Sequence, residues 1–291
     1  MALLQVPLQY AHSFCAAPFH IPVSPAHVVT GASDGIGREF ALQLAAHGFN
    51  VFLAARSAEK LEAVAREIQT STSGKVKTEI FVIDFAHASD AQFGTLREAL
   101  QAREVGVLVN NVGKSHEMPV DFVDTSAAEM EDIITINCTA TVRITSYVAP
   151  SMASRRRGVI INIGSFAGAQ PTPMLATYSA SKAFLRTFSE ALSAELGPYG
   201  VIVEHANTYF VVSAMSKIRK STMTIPTPRD YVRSALNGLV QGSRAPYWSH
   251  AVIEAIMGLF PQRSISNYFH TMHKDIRKRA LRKKERLAKK Q

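Results

Sequence analysis

Tyr178 and Lys182 stand four residues apart and carry the clearest chemical suggestion in the chain. On a helix, that spacing puts both side chains on one face. A free phenol has a pKa of about 10 and releases its proton reluctantly near neutrality. A neighbouring ammonium stabilises the phenolate, so the pair suits proton delivery to an oxygen while hydride reaches the adjoining carbon. Alone, a Tyr-x-x-x-Lys pair is commonplace, because both residues are frequent on helices. Ser165 sharpens it. It follows the apolar run Val159–Ile163, at the strand end where ligands bind in open α/β sheets. Its hydroxyl could hold a carbonyl oxygen as negative charge develops there. Read by itself, the same serine is a helix cap.

The second chemical feature is the run Thr30-Gly31-Ala32-Ser33-Asp34-Gly35-Ile36-Gly37. It joins a short strand, Val28–Thr30, to a helix read from Ile36 to His47. Residues without Cβ allow a tight turn and let the backbone approach a pyrophosphate, while the helix aims its free N–H groups at the same anion. Without a ligand, the run is simply a glycine turn, but the order strand, loop, helix is the one a dinucleotide requires. The next strand ends Leu53-Ala54-Ala55-Arg56. An acid at Ala55 would accept from a ribose 2′-hydroxyl and repel a 2′-phosphate. Instead an alanine is followed by a guanidinium, which matches a phosphate with two hydrogen bonds. The expected cofactor is NADPH.

These groups need a scaffold, and the hydrophobic rhythm supplies one. Strands are expected at Asn50–Ala55, Glu79–Asp84, Gly106–Val109, Val159–Ile163 and Val201–Glu204. Between them lie helices at Ala58–Gln69, Asp90–Arg103, Ser126 to about Val148 (stopped by Pro150) and Ala176–Leu196. Strands apolar almost throughout and separated by helices indicate a parallel sheet covered on both faces. The expected fold is α/β: a doubly wound parallel sheet of Rossmann type, one domain with a helical C-terminal extension. The expected divisions are an irregular leader over 1–26, the catalytic domain over 27–245 and the extension over 246–291. Past Glu204 the pattern blurs.

Hydrophobic residues make up 47% of the 291, enough for a sizeable core, and charged residues 19%, too few for a disordered chain. The net charge is +9, and +8 of it falls in Lys274–Gln291, where ten Lys and Arg face Asp275 and Glu285. Such an arm suits phosphates or an anionic lipid surface, or simply solvates a helix end. It lacks the interleaved aromatic residues of a single-strand nucleic-acid binder, and no nucleic-acid partner is expected. Cys15 and Cys138 have no neighbours at metal-ligand spacing, so plain thiols and no metal site are expected. The proline-broken start has no Lys or Arg before Arg38, unlike a signal peptide. Ala245–Pro261 is apolar but short, a docking or interfacial helix rather than a membrane span.

The spacing Thr30-Gly31-x-x-x-Gly35-x-Gly37, with Ser165, Tyr178 and Lys182, resembles the short-chain dehydrogenase/reductase family. Ser165 precedes Tyr178 by 13 residues, a typical family spacing. The resemblance implies further roles. Asp84 matches an adenine-contacting Asp, Asn110-Asn111-Val112-Gly113 resembles the family's N-N-A-G turn, and Asn137 matches an Asn supporting a proton relay through water to the lysine. The implied catalytic set is Asn137, Ser165, Tyr178 and Lys182. The implied cofactor set is Thr30, Gly31, Ser33, Asp34, Gly35, Ile36, Gly37, Arg56, Asp84, Asn110, Asn111, Val112 and Gly113, with Tyr178 and Lys182.

Longer runs, Gly31–Phe40, Val109–His116, Pro171–Ser179 and Ser213–Arg219, look like the reductases of fungal microsomal fatty-acid elongation. That likeness implies reduction of a very-long-chain 3-oxoacyl-CoA at the endoplasmic reticulum membrane, in partnership with the other elongase components. Met215, Ile218 and the segment after Tyr247 could line an acyl channel. His116, in the loop after the fourth strand, reads as a loop hydrogen-bonder or as a catalyst. A steroid or other lipid ketone reductase would use the same catalytic residues, and a non-catalytic scaffold of an elongase complex is a rival from another class.

Overall fold

Short runs of β-branched and aliphatic residues make the strands, and their neighbours in sequence point to opposite faces. In the computed structural model, which describes residues 26–289, Val29, Leu53, Val109 and Ile161 enter one core. Val28, Phe52, Leu108 and Ile160, one residue earlier on the same strands, enter the other. This is the period of two that a doubly covered sheet requires. Each fully buried aliphatic side chain contributes about 1.5–3 kcal/mol.

The strands are β1 Ala26–Thr30, β2 Asn50–Ala55, β3 Thr78–Val82, β4 Val105–Asn110, β5 Gly158–Ile163, β6 Val201–Ala206 and β7 Gly242–Arg244. They form one parallel sheet in the order β3-β2-β1-β4-β5-β6-β7. The chain therefore leaves β1 in one direction and returns past it to β4. That reversal opens a crevice at the carboxyl ends of β1 and β4, where ligands bind in such sheets.

The helices are α1 Gly35–Ala46, α2 Ala58–Ser71, α3 Asp90–Gln101, α4 Ala127–Ile134, α5 Ala140–Ser154, α6 Phe166–Ala169, α7 Ala176–Leu196, α8 Pro228–Asn237, α9 Trp248–Gly258 and α10 Gln262–Ala288. Side-chain caps start many of them, including Ser57 at α2, the Ser89–Gln92 capping box at α3 and Thr227 at α8. The first core packs α1, α2 and α8 on the sheet through Phe40, Leu44, Leu61, Ile68 and Tyr231. The second packs α3 and α5 through Phe93, Leu96, Ile144, Val148 and Met152.

Four expectations are corrected. The helix from Ser126 is not continuous: a π turn, Thr135–Thr139, separates α4 from α5. Pro150 does not stop it, because the proline lies on the exposed flank, where water can serve the carbonyl it leaves unpaired. The third strand ends at Val82, so Asp84 sits in the following loop. Ala26, read as leader, opens β1. The rest of the expected leader, with Cys15, lies outside the described residues, and Cys138 is a buried free thiol.

Within β6, Glu204 anchors the last strand, pairing in register with Gly242. Buried completely, it accepts from the Val240 N–H (2.8 Å) and faces the Arg244 guanidinium (3.3 Å). Burial pushes its carboxyl up to about 7 against the pull of Arg244. Asn207 N then donates to Arg244 O (2.7 Å), launching the loop that runs to α8.

Candidate active site

The crevice begins where β1 ends. Gly31 has φ +66° and Gly35 φ +56°, so the chain turns sharply and enters α1 with Asp34 as its cap, the carboxylate accepting from Gly35 N at 2.7 Å. The turn is fastened to the loop after β4. Thr30 Oγ1 accepts from Asn111 N (3.0 Å) and Val112 N (3.1 Å) and donates to Val109 O (3.2 Å). Asn111 Nδ2 donates to Thr30 O (2.9 Å) and Gly31 O (3.2 Å). Gly37 permits this closeness: a Cβ there would lie 2.3 Å from both Asn111 Nδ2 and Gly31 O.

The resulting cleft holds about 510 Å³. Gly31, Ser33, Asp34, Gly35 and Ile36 line one side, Arg56 and Asp84 the end, and Asn111, Val112 and Gly113 the floor. Thr30, Gly37 and Asn110 lie behind it. Asn110 is buried, with Nδ2 donating to Thr145 Oγ1 (3.0 Å) and Asn162 Oδ1 (2.8 Å), and it ties β4 to α5 and β5. Burial raises Asp84, but the Ala86 N–H, His87 and Arg56 outweigh it and leave the carboxyl below its usual range. A glycine cradle at a helix N-terminus, with the Arg56 guanidinium exposed and free of hydrogen bonds and ion pairs among the described residues, fits a phosphorylated dinucleotide.

Tyr178 and Lys182 project from α7 into the same cleft. Lys182 is buried, its Nζ donates to Ile163 O at 2.8 Å, and it lies 5.9 Å from the centre of the Tyr178 ring. Burial pulls its ammonium down to about 8. His205, beneath Gly164, is held neutral, pulled to about 3 by burial and then by the Lys182 charge. Burial also raises the Tyr178 phenol, and the hydrogen bond with Ser165 only partly offsets this. Burial thus outweighs the polar neighbours at the phenol in this arrangement.

Ser165 serves as the helix cap that the sequence allowed, and it stands beside Tyr178. Its Oγ accepts from Ala167 N (3.2 Å) as cap of α6, and its hydroxyl reaches Tyr178. Asn137 sits in the π turn, fully buried. Its Nδ2 donates to Lys114 O (2.9 Å) and Ser181 Oγ (2.8 Å), and its Oδ1 accepts from Lys114 N (2.8 Å). It thus clamps the loop after β4 to α7. π turns cluster at functional sites. The side chain of Lys114, with no role read for it from sequence, pairs with Asp132 at the rim.

The other half of the cleft is largely apolar. Leu175, Phe210, Val211, Met215, Phe269 and Met272 line it, along with Tyr209 and His273. Of the expected channel, Met215 is there, Ile218 faces a separate depression, and the segment after Tyr247 contributes through α10. That helix lies across the mouth: His273 Nδ1 meets Pro173 O (2.7 Å), Arg277 Nη1 donates to Pro119 O (2.9 Å), and Lys284 pairs with Glu117 (3.1 Å). Phe269, Met272 and His273 escaped sequence reading because charged residues dominate their helix. His116 is buried 3.5 Å from Glu129 and outside the lining.

Residues 26–224 match the family described as short chain dehydrogenase. The chain is 54% identical over 275 residues to the very-long-chain 3-oxoacyl-CoA reductase of Coprinopsis cinerea, covering 91% of this chain and 80% of that protein. It is 48% identical over 271 residues to the protein of the same name from Aspergillus terreus, covering 89% and 76%. Among solved structures it is similar to a short-chain dehydrogenase from Sphingobium yanoikuyae in complex with NADPH, with 27% identity, a TM-score of 0.68, and coverage of 81% of this chain and 94% of that one.

Proposed function

The chain belongs to the short-chain dehydrogenase family, and from that premise we propose that it reduces a very-long-chain 3-oxoacyl-CoA to the 3-hydroxyacyl-CoA with NADPH. One observation carries the reading: the glycine cradle, the Tyr178–Lys182 pair and an apolar wall share a single cleft. When bound, the reduced nicotinamide supplies a hydride to the carbonyl carbon. Gly31, Ser33, Gly35 and Ile36 would hold its pyrophosphate, Asp84 its adenine and Arg56 its 2′-phosphate.

The chain's own groups handle the oxygen. Ala167 N–H occupies one lone pair of Ser165 Oγ, so the hydroxyl hydrogen that meets Tyr178 can turn to the substrate carbonyl when the ester binds. Tyr178 donates a hydrogen bond to the same oxygen and transfers its proton as the C–O bond becomes single, so one hydride and one proton complete the alcohol. A phenol kept protonated by burial suits this direction. Lys182, fixed on Ile163 O, faces the phenolate that remains and would hold the cofactor ribose. Asn137 positions Gly113, Lys114 and α7 around this group and supports a water path that returns the proton.

Phe269, Met272 and Met215 give the acyl chain an apolar path. The surface suits a membrane setting. Trp248, Val252 and Ile256 form an exposed stripe on α9, followed by exposed Leu259 and Phe260, beside the basic α10. No helix among the described residues is long and apolar enough to cross a membrane. The exposed apolar stripe and the basic helix beside it are the proposed contact with the endoplasmic reticulum surface. The partners are the elongase enzymes that make the 3-oxo ester and consume the 3-hydroxy ester. The test is NADPH consumption against a panel of 3-oxoacyl-CoA chain lengths and a keto-steroid. Turnover rising with chain length supports the reading; clear preference for the steroid overturns it.

A further inference from the structure

Beside the cleft lies a second depression, of about 810 Å³, that the proposed chemistry does not use. Arg38 from α1, Lys217 and Arg219 from the loop after β6, Arg229 from α8 and Lys283 from α10 line it, against only Asp34 and Glu39. Both acids are engaged: Asp34 caps α1, and Glu39 accepts from Gln43 Nε2 at 2.7 Å. Arg38 pairs with Glu67, and Lys217 Nζ donates to Glu117 O. The side chains of Arg219, Arg229 and Lys283 are exposed and have no hydrogen bond or ion pair among the described residues. Two distant stretches of chain, the segment that holds Arg219 and Arg229 and the helix that holds Lys283, thus bring unpaired like charges around one hollow. Their mutual repulsion costs free energy unless an anion enters.

The hollow and the cleft share a rim. Asp34, Gly35, Ser213 and Ala214 line both, and a Cβ on Gly35 would lie 3.5 Å from the Ser213 Cβ. An anion here belongs to a molecule that can also reach the cleft. The cofactor's phosphates are already served inside the cleft by the glycine cradle and Arg56, and Arg56 does not line the hollow. On the reading that the substrate is an acyl-CoA, we propose that this depression binds the phosphorylated nucleotide end of the thioester. The pantetheine arm then crosses the Asp34–Ser213 rim. One helix would thereby touch both ends of the substrate: Met272 lines the cleft and Lys283 the hollow, about 16 Å apart along α10 at 1.5 Å per residue. That is a reach of the order of an extended pantetheine arm.

The experiment is steady-state kinetics at saturating NADPH with three thioesters of one 3-oxoacyl chain: CoA, 3′-dephospho-CoA and pantetheine. In the unaltered protein, KM should rise from the first to the third. Adenosine 3′,5′-bisphosphate should compete with the CoA ester and not with NADPH. The variant R219E/R229E/K283E should raise KM for the CoA ester about tenfold, the scale of three exposed ion pairs, with kcat unchanged. KM for the pantetheine ester and for NADPH should not move. Equal KM values for the three esters in the unaltered protein would overturn the proposal without any variant. So would a variant that raises KM for NADPH, or for all three esters alike, and the first of these outcomes would assign the hollow to the cofactor. Reduction of none of the thioesters would instead refute the substrate reading on which the proposal rests.

Discussion

The cofactor side of the cleft is built from backbone, whereas the side facing α10 is built from side chains. On the first side, the Thr30 hydroxyl and the Asn111 amide lock two loops together by bonding their main-chain atoms, and at Gly37 a Cβ has no room. On the second, Leu175, Phe210, Met215 and Met272 present flexible apolar surface that can be exchanged for other shapes. The contrast separates what must be constant from what can be tuned. A pyrophosphate demands one geometry, while an acyl chain demands only a dry channel of adequate length.

Substitutions can break or sharpen that comparison. The largest effect belongs to Gly37→Ala, whose methyl would meet backbone Gly31 O at 2.3 Å. Overpacking of this kind costs about 1–3 kcal/mol, so thermal unfolding should show Tm lowered by several degrees and a cofactor titration should show NADPH binding lost. The control is Gly258→Ala at the end of α9, where a Cβ meets nothing within 4 Å and Tm should hold or rise. Equal sensitivity of the two glycines would erase the contrast. Next comes Arg56→Ser, which removes the phosphate partner but leaves the cradle. The ratio of kcat/KM for NADPH over NADH should fall about 10- to 100-fold, the worth of one or two charge-assisted hydrogen bonds. The smallest is Met272→Trp on the apolar side: folding and short-chain turnover should be nearly unaffected, while kcat/KM for the longest chains falls several-fold. A chain-independent loss would place Met272 outside the acyl path.

The same division governs what could be read without a structure. The glycine loop, Arg56, and the Tyr178–Lys182 pair announce themselves because their chemistry restricts residue type. The central strands were legible because doubly buried strands are continuous apolar runs, and the edge strand β3 because Ile80, Phe81 and Val82 form a short apolar run of their own. The π turn at Thr135–Thr139 was not, since Thr-Ile-Asn-Cys-Thr contains no breaker and the extra residue in the turn is a matter of packing around Asn137. Asn110 reads as part of the cofactor motif, yet it pairs in register with Asn162 and spends its amide inside the sheet. Helix α10 was expected as a helical extension, but its inward face was not. Its inward residues, Ile265, Phe269 and His273, are few among lysines and arginines, so the apolar period is diluted. The raised phenol also ran against expectation, because sequence places the lysine but not the depth at which it is buried.

The account stands on Tyr178 as the group that hands a proton to the substrate oxygen. Tyr178→Phe keeps the ring, the packing and the cradle and removes only the hydroxyl. Measured side by side, NADPH affinity by fluorescence titration should stay within about twofold, whereas kcat for the 3-oxo ester should fall about 10²- to 10⁴-fold. Turnover at the unaltered rate in that variant would contradict the account, whatever the cofactor affinity.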